Sequence, residues 1–447
     1  MAEMRLAAEM KDSGIEWIGS IPQNWMLARL KDVKAPTRYS IVDGPFGSAI
    51  STDDYADEGV PLIRITNLVN GEVSFKDMVF IPLTLAETLQ RSQTGLHDII
   101  IAKTGGTVGK CAINNTVEDG ILSSSCVKVT ISDEHDYRYF YYLFSTPSFV
   151  EALINACTGT TRNTINLKPL SSLNCTVPSL SEQHAIADYL DDRCSKIDEI
   201  IAEATASIEE YKELRKAVIT ETVTRGIDGI NALKNSGYDW MGHIPIDWNI
   251  ASLKHISIKT ISYGVIKLFD PDDDGVYILR CSDVKAGFID TTNIRTITKE
   301  LSDEYKRTLL TENDIVINVR GTLGGCAVIP KEMEGYNIAR EVALISPDRA
   351  KYDSEFIMYF LLSDVFERFR DASLSGAIYV GINMETLSHF RVAYPALDEQ
   401  KRIAKYLNKK VSDIDTIISE KQSLISDLQA YKKSLIYEVV TGKRRVV

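Results

Sequence analysis

The chain has 447 residues, of which 44% are hydrophobic and 25% are charged, and its formal net charge is −12. This length predicts two to four domains with sizeable cores, and no apolar run reaches the roughly 18 residues that a membrane span requires. The negative charge argues mildly against nucleic acid binding by the chain as a whole, although it allows a local basic groove or a basic partner.

The first residues and the cysteines indicate the compartment. The opening MAEMRLAAEMKDSG contains acidic residues and no apolar segment, so it predicts no signal peptide. The seven cysteines include no CxxC pair, which favours free thiols in a reducing environment. We therefore expect a cytoplasmic protein.

An aromatic segment near the start of the chain occurs a second time. It reads SGIEWIGSIPQNW from Ser13 and SGYDWMGHIPIDW from Ser236, so that Trp25 corresponds to Trp248. The tryptophans on either side of an Ile-Pro bend predict an irregular segment that is anchored by its aromatic rings. An aromatic cage for a ligand is the alternative, and structural packing is the favoured interpretation.

Each half then contains a strand-like stretch whose fifth residue is an arginine. The two stretches read VPLIRITNLVNGEV and VYILRCSDVKAGFI, and they place Arg64 and Arg280 at the same position. Because β-branched and aliphatic residues dominate up to each arginine, both stretches predict a β-strand that ends at a turn.

A glycine-rich turn between two apolar runs follows in each half. The sequences are HDIIIAKTGGTVGKCAI and NDIVINVRGTLGGCAVI, and each predicts a β-hairpin in which glycine supplies positive φ angles. The turn resembles a phosphate-binding loop only superficially. Gly105 and Gly109 are one residue too close for GxxxxGK, and Cys111 stands where a magnesium-binding Ser or Thr is needed.

A predicted helix and a loop complete each half. The aromatic run from Tyr139 to Tyr142 could stack on bases, but its counterpart from Phe356 to Tyr359 is partly aliphatic, which favours a helix in the core. The loops CTGTTRNTINLKPL and LSGAIYVGINMETL share a frame and differ at their polar tips. The halves are therefore similar in their framework and different in this loop.

Two long helical stretches are the strongest repeat in the chain. They begin PSLSEQHAIADYL and PALDEQKRIAKYL, and they align without a gap, with Tyr189 matched to Tyr406. In each copy, eight of ten positions spaced by four and three residues are apolar, as in the seam of a coiled coil. Two equal stripes favour pairing of the helices with each other over packing of each helix on its own domain. The matched polar seam residues Arg215 and Lys432 are expected to set the register or to contact a partner.

This organisation resembles the specificity subunit of type I restriction–modification systems. The resemblance rests on the two tryptophan segments, the GTVG and GTLG turns and, above all, the two Pro-x-Leu-x-Glu-Gln helix entries. It implies an α+β fold with two repeated α/β-type target-recognition domains, separated by two long helices that form an antiparallel coiled coil with pseudo-twofold symmetry. The implied boundaries are 1–179 and 228–395 for the domains, and 180–227 and 396–447 for the helices, the last with a basic tail.

The same resemblance implies a function in DNA recognition. Each domain would read one half of a bipartite sequence in double-stranded DNA, and the helices would set the spacer and dock two modification subunits. Those subunits would transfer methyl groups from S-adenosylmethionine to adenine N6, and restriction subunits with ATP and magnesium could join them. The chain itself would hold no cofactor or metal and would not be an enzyme. In agreement, [NDS]PP[FY], HExxH, GxSxG and Walker A motifs are absent from the sequence.

Candidate DNA contacts divide between the shared framework and the parts that differ, because phosphate contacts position a protein and base contacts specify a sequence. The candidates for phosphate contact, which both halves share, are Arg64, Arg280, Thr107 and Thr322. The candidates for base reading, with Arg–guanine and Asn–adenine as the usual pairings, are Lys103, Lys110, Arg162, Asn163, Arg320, Tyr379 and Asp283. For each of these residues, an ordinary surface or turn position is the alternative.

A different class of function is also compatible with the sequence. Two β-rich modules on a coiled coil could form a protein-interaction scaffold that binds no DNA. The two hypotheses differ in whether the basic loop residues share one concave face. A fused methyltransferase or nuclease is disfavoured, because the two repeats occupy nearly the whole length.

Overall fold

A computed structural model describes residues 3–158, 163–229, 232–267, 274–374 and 381–446. It divides into two compact units. The first unit comprises Met1–Glu203 and Leu424–Val447, and the second comprises Ala204–Ser423. In the described ranges, no helix is both long and apolar enough to cross a membrane.

The α-helices repeat in the same order in the two halves of the chain. In each half, shorter helices precede one very long helix, which has 46 residues in the first half and 44 in the second. The helices are α1 (Leu30–Val33), α2 (Leu83–Thr88), α3 (Tyr137–Phe144), α4 (Pro147–Asn155), α5 (Leu167–Ser172), α6 (Leu180–Arg225), α7 (Leu253–Ile256), α8 (Lys299–Glu304), α9 (Ser354–Leu361), α10 (Asp364–Leu374), α11 (Met384–His389) and α12 (Leu397–Val440).

The strands are short, most of them with two to four residues. Those of the first half are β1 (Glu3–Met4), β2 (Met10–Asp12), β3 (Ser20–Pro22), β4 (Met26–Arg29), β5 (Ile41–Asp43), β6 (Val60–Ile63), β7 (Leu68–Val69), β8 (Glu72–Val73), β9 (Val79–Ile81), β10 (Gln93–Thr94), β11 (Ile99–Ala102), β12 (Cys111–Ile113), β13 (Gly120–Leu122), β14 (Cys126–Val129) and β15 (Asn174–Val177). Those that follow α6 are β16 (Leu233–Asn235), β17 (His243–Pro245), β18 (Asn249–Ser252), β19 (Ser262–Tyr263), β20 (Val276–Leu279), β21 (Arg295–Ile297), β22 (Ile315–Asn318), β23 (Cys326–Val328), β24 (Asn337–Ile338), β25 (Val342–Ile345), β26 (Arg391–Tyr394) and β27 (Arg444–Arg445).

Two sheets form the centre of each unit. In the first unit their orders are β5-β14-β11-β12-β8-β7 and β10-β13-β6-β9, and in the second they are β19-β25-β22-β23 and β21-β20-β24. The hairpins predicted around the glycine-rich turns are confirmed as β11–β12 and β22–β23, both antiparallel. The parallel pairs β6–β13 and β20–β24 correspond between the units. They join segments that are distant in sequence, which no local pattern predicts.

The tryptophan segments are anchored by packing of their rings, as predicted, although Trp25 and Trp248 lie in the core. Trp25 and Trp248 are at most 1% exposed. Trp25 meets Tyr139 with ring centroids 6.4 Å apart, and Trp248 meets Phe356 at 6.2 Å. The segments are less irregular than expected, because each contains a short hairpin, β2–β3 or β16–β17. Burial of Tyr139 and Phe356 also confirms that the aromatic run is a core helix.

The two long helices pair antiparallel within each unit. In the first unit, the start of α6 shares a core with the end of α12, as Leu190 and Val439 show. In the second unit, the end of α6 shares a core with the start of α12, as Val223 and Leu407 show. None of the predicted seam positions is exposed. The predicted helix pairing, and with it the α+β fold class, is confirmed.

The matched polar residues of the seam form matched ion pairs. Arg215 Nε lies 2.9 Å from Asp415 Oδ1 in the second unit. Lys432 Nζ lies 2.6 Å from Asp198 Oδ2 in the first. In the gapless alignment of the two long helices, Arg215 corresponds to Lys432 and Asp415 corresponds to Asp198, so the two ion pairs are equivalent. Because each pair joins α6 to α12 at a fixed level, the two pairs favour one antiparallel register over its neighbours.

The glutamine of each helix entry connects the long helix to the globular part of its unit. Gln183 Nε2 donates to the Pro178 carbonyl at 2.9 Å, and its Oε1 accepts from the Asp136 backbone N–H at 3.0 Å. Gln400 bonds Pro395 and Asp353 in the same way, at 2.9 Å each. Both amides are buried. The Glu-Gln element therefore has a structural role, since it fixes where the helix leaves the domain.

Candidate nucleic-acid interface

The first candidate region is residues 103–110 of the first unit, which we call the glycine turn, together with its equivalent 319–325 in the second. Gly105 and Gly109 have φ angles of +78° and +89°, a region that glycine adopts without strain. The Gly105 N–H donates to the Asn163 carbonyl at 2.9 Å. The turn therefore brings Lys103, Lys110 and Asn163 of the predicted set close together.

The charge of Lys103 is partly compensated inside the protein. Its Nζ lies 2.5 Å from Asp43 Oδ2, and Arg91 binds the other carboxylate oxygen at 2.9 Å. Lys110 and Thr107, by contrast, lie on the exposed side of the turn. Lys110 is thus the more accessible cation for a phosphate or a base.

A cysteine follows the glycine turn at the position that raised the question of a phosphate-binding loop. Burial raises the pKa of Cys111 to about 12. The raised pKa favours the protonated thiol, which is the less nucleophilic form.

The glycine turn of the second unit carries Arg320 and Thr322. It is one residue shorter than in the first unit, because β22 ends at Asn318 and β23 begins at Cys326. Asn318 compensates by donating its side-chain amide to the Thr322 carbonyl at 3.0 Å. The exposed Arg320 lies over the Tyr263 ring, with 5.6 Å between the guanidinium carbon and the ring centroid. This contact orients the arginine without neutralising it.

Arg64 and Arg280 occupy equivalent sites and bind equivalent carbonyl groups. An Arg64 terminal nitrogen donates to the Asp77 carbonyl at 2.5 Å, and an Arg280 terminal nitrogen donates to the Asn293 carbonyl at 2.7 Å. Both arginines thereby close a loop of their own unit, which contains the β7–β8 hairpin in the first unit and the isolated bridge Val284–Ile289 in the second. This shared local role was not foreseen from the sequence.

The two arginines differ in their charged surroundings. Arg280 forms two bonds with Asp283, from Nε at 3.1 Å and from a terminal nitrogen at 2.9 Å. Asp283 is only 4% exposed, so its carboxylate holds Arg280 in place and is poorly placed to reach a base. The equivalent of Asp283 is Asn67, which bonds the backbone N–H of Arg64 at 3.1 Å. The Asp283 carboxylate therefore partly neutralises Arg280, whereas the residue at the equivalent place beside Arg64 is an uncharged amide.

Two predicted residues, Arg162 and Tyr379, lie outside the described ranges. None of the proposed DNA contacts is tested by the geometry, and all remain predictions. The structure groups Lys103, Thr107, Lys110 and Asn163 at one turn, and it places Arg320 and Thr322 at the equivalent turn.

Sequence reasoning missed a second turn beside each glycine turn. We call residues 123–125 and 339–341 the tip turns. The backbone N–H of Lys103 donates to the Ser125 carbonyl at 2.8 Å, and that of Val319 donates to the Glu341 carbonyl at 2.8 Å. The middle residues of the two turns are Ser124 and Arg340. An alignment of β14 with β25, which needs a one-residue gap on either side, would have revealed them.

An open cleft of about 290 Å³ lies beside the tip turn of the second unit. The charged residues that line it are Lys267, Arg280, Arg295, Arg340 and Glu341. Four cations and one acid line this cleft, but Lys267 is paired with Glu304, Arg280 with Asp283 and Arg340 with Glu341. The cleft of the second unit is therefore lined by cations that carboxylates of the same unit partly neutralise.

Comparison with known proteins identifies the family. The family described as type I restriction modification DNA specificity domain matches residues 22–210 and 245–426. The EcoBI specificity subunit of Escherichia coli is 24% identical over 445 residues, which cover 97% of this chain and 89% of the relative. The MjaVIII specificity subunit of Methanocaldococcus jannaschii is 24% identical over 432 residues, covering 95% and 94%.

A solved structure supports the fold. It comes from work on complex assembly and conformational transition of the type I R-M system, and it superposes with a TM-score of 0.68. The match covers 95% of this chain and 99% of the other, at 14% identity. The resemblance inferred from the two helix entries is confirmed: the chain belongs to the family of type I restriction–modification DNA specificity subunits.

Proposed function

We propose that this chain reads a bipartite sequence in double-stranded DNA, one half with each unit, for a type I restriction–modification complex. The observation that carries the proposal is the repeated framework with different polar residues at the same sites. Phosphate contacts need the same geometry on both half-sites, whereas base contacts must differ when the half-sites differ. The shared arginine positions and the different tip turns fit this division.

The long helices are proposed to set the spacer between the half-sites. A helix of 46 residues is about 69 Å long at 1.5 Å per residue, which is about two turns of B-DNA. Domains that overhang a rod of this length can read sites roughly one helical turn apart. The matched ion pairs of the seam support this role, because a spacer of fixed length needs a fixed register.

The outer faces of the helices are proposed to receive two modification subunits. Leu214 and Tyr431, which are equivalent in the repeat, are 48% and 51% exposed. Exposed apolar residues at equivalent positions suit two copies of the same partner. In this proposal those partners bind S-adenosylmethionine and methylate adenine N6, and any restriction subunits supply ATP- and magnesium-dependent cleavage. The chain itself contributes recognition and assembly and no catalytic group.

Mapping N6-methyladenine tests this function. The chain would be expressed with its modification subunits in a host that lacks adenine methylation, and the methylated positions would be located across the genome. We expect two short blocks separated by a spacer of fixed length. Cells with the modification subunits alone are the control, and they should show no such motif.

Other outcomes would reject the proposal. A continuous palindromic motif would contradict reading by two different units. Absence of any motif, despite an assembled complex, would favour the scaffold hypothesis, in which the β-rich units bind proteins and no DNA.

A further inference from the structure

The tip turn of the first unit is held by backbone hydrogen bonds on both sides. The Ser123 N–H donates to the Ile63 carbonyl at 2.9 Å, and the Cys126 N–H donates to the Ser123 carbonyl at 3.0 Å. The Ser125 carbonyl accepts the bond from Lys103 described above. Ser124 is thus the middle residue of a turn whose two neighbours are fixed to adjacent strands.

The second unit builds the same turn from different residues. The Ala339 N–H donates to the Leu279 carbonyl at 2.9 Å, the Val342 N–H donates to the Ala339 carbonyl at 3.0 Å, and the Glu341 carbonyl accepts from Val319. Every one of these bonds has a counterpart in the first unit at the equivalent position of the repeat. Here the middle residue is Arg340.

A loop from another part of each unit packs closely on the tip turn. A Cβ added to Gly44 would lie 1.9 Å from a carbonyl oxygen of the turn in the first unit. A Cβ added to Gly264 would lie 1.7 Å from the carbonyl oxygen just before the turn in the second. Only glycine permits this approach. Two residues further on, the loops carry the exposed apolar side chains Phe46, 85% exposed, and Ile266, 55% exposed.

The residues around the two turns differ in charge. The Arg340 side chain is 56% exposed, and its Nε lies 3.4 Å from Glu341, a long surface contact that contributes little. Arg295, also in the cleft, is exposed. In the first unit the position of Arg340 is a serine. A rigid turn with a variable middle residue is the arrangement that a reading site requires, because the side chain must be presented in a fixed geometry.

We propose that Arg340 and Ser124 determine sequence specificity, one in each unit, with Ile266 and Phe46 as apolar contacts beside the base that is read. This inference rests on the proposed function. Arg340 would donate to O6 and N7 of a guanine, and the adjacent apolar residue would contact the neighbouring base or a thymine methyl group. Ser124 is shorter and either donates or accepts, so the first unit would read a different base at the equivalent place.

The decisive experiment exchanges the residue of one unit for that of the other. The Arg340→Ser chain, in its complex with the modification subunits, would be tested by methylation mapping and by binding to duplexes that vary one base at a time. We expect one half-site to lose its preference for guanine at one position, with discrimination falling about 5- to 150-fold, the equivalent of about 1–3 kcal/mol. The other half-site should not change. Ser124→Arg should alter only that other half-site.

Two further variants separate base reading at Arg340 from a general effect of positive charge. Arg340→Lys keeps the charge and loses the planar fork, so it should keep the affinity for non-cognate duplexes and the salt dependence while reducing the preference for guanine. Arg368→Ser removes an exposed arginine from α10 in the same unit and should leave both half-sites unchanged.

Several results would overturn the inference. If Arg340→Ser weakens binding equally on all sequences and reduces the salt dependence by about one charge, Arg340 contacts a phosphate and reads no base. An unchanged motif would exclude any role in reading. A wild-type complex without a bipartite motif would instead reject the proposed function, so the two failures are distinguishable.

Discussion

The loops that Arg64 and Arg280 close share a hydrogen bond from the arginine to a backbone carbonyl and differ in electrostatics. Each arginine closes its loop through a carbonyl 13 residues further along the chain. Arg280 also binds the buried carboxylate of Asp283, whereas Arg64 has Asn67 at the equivalent place. The tip turns also differ in charge, because the uncharged Ser124 corresponds to Arg340. Duplication has thus kept the hydrogen-bonding framework and changed the charges presented on it.

The largest effects are expected where the two units are the same. Trp25→Ala and Trp248→Ala should each destabilise the chain by about 3–5 kcal/mol, because each removes a fully buried indole. Chemical denaturation of the two variants, monitored by circular dichroism, measures the loss. Costs that differ by more than about 2 kcal/mol would contradict the equivalence of the two frameworks.

The helix entries should give the next largest effect. Gln183→Ala and Gln400→Ala each leave a backbone N–H without its acceptor, on a buried aspartate in the first unit and on a partly buried one in the second, which costs about 1–3 kcal/mol. The denaturation midpoints of the two variants should decrease by similar amounts. The exposed neighbours Ser181 and Asp398 provide controls as alanine variants, and their midpoints should remain close to that of the unmodified chain.

Asp283→Asn makes the loop of the second unit chemically like that of the first. Loss of one partner from a mostly buried ion pair should destabilise that unit, by up to about 3 kcal/mol since the amide can still accept a hydrogen bond. The freed Arg280 charge should strengthen DNA binding of the complex and steepen its salt dependence by up to about one charge. Binding titrations at several salt concentrations measure this change. An unchanged slope would mean that Arg280 does not face a phosphate.

The seam ion pairs should give the smallest change in stability. Asp198→Asn and Asp415→Asn each remove a half-exposed carboxylate, for which a cost of about 0–1 kcal/mol is usual. The double variant should not exceed the sum of the single variants, since the pairs lie far apart on α6. The double variant should instead methylate more sites whose spacer is one base pair longer or shorter than in the motif of the unmodified chain. Methylation mapping measures the fraction of such sites.

Several features were predictable because their causes are local. The seam followed from apolar residues every three and four positions, and the hairpins followed from glycines between β-branched runs. The ion pair between Arg280 and Asp283 was also accessible in principle, because the two residues are three apart. Asp283 remains a predicted base-reading residue, and the burial of its carboxylate could not be seen from the sequence.

The sequence by itself determined the repeat, the pairing of the long helices, the anchoring role of the tryptophans and the resemblance to specificity subunits. Each depends on residue type and spacing, which are properties of the chain. The tertiary structure alone decided which side chains meet: Lys103 with Asp43, 60 residues away, and the loops of Phe46 and Ile266 with the tip turns. These contacts arise from strand pairings between distant segments, whose geometry is set by packing of the whole unit and not by any local pattern.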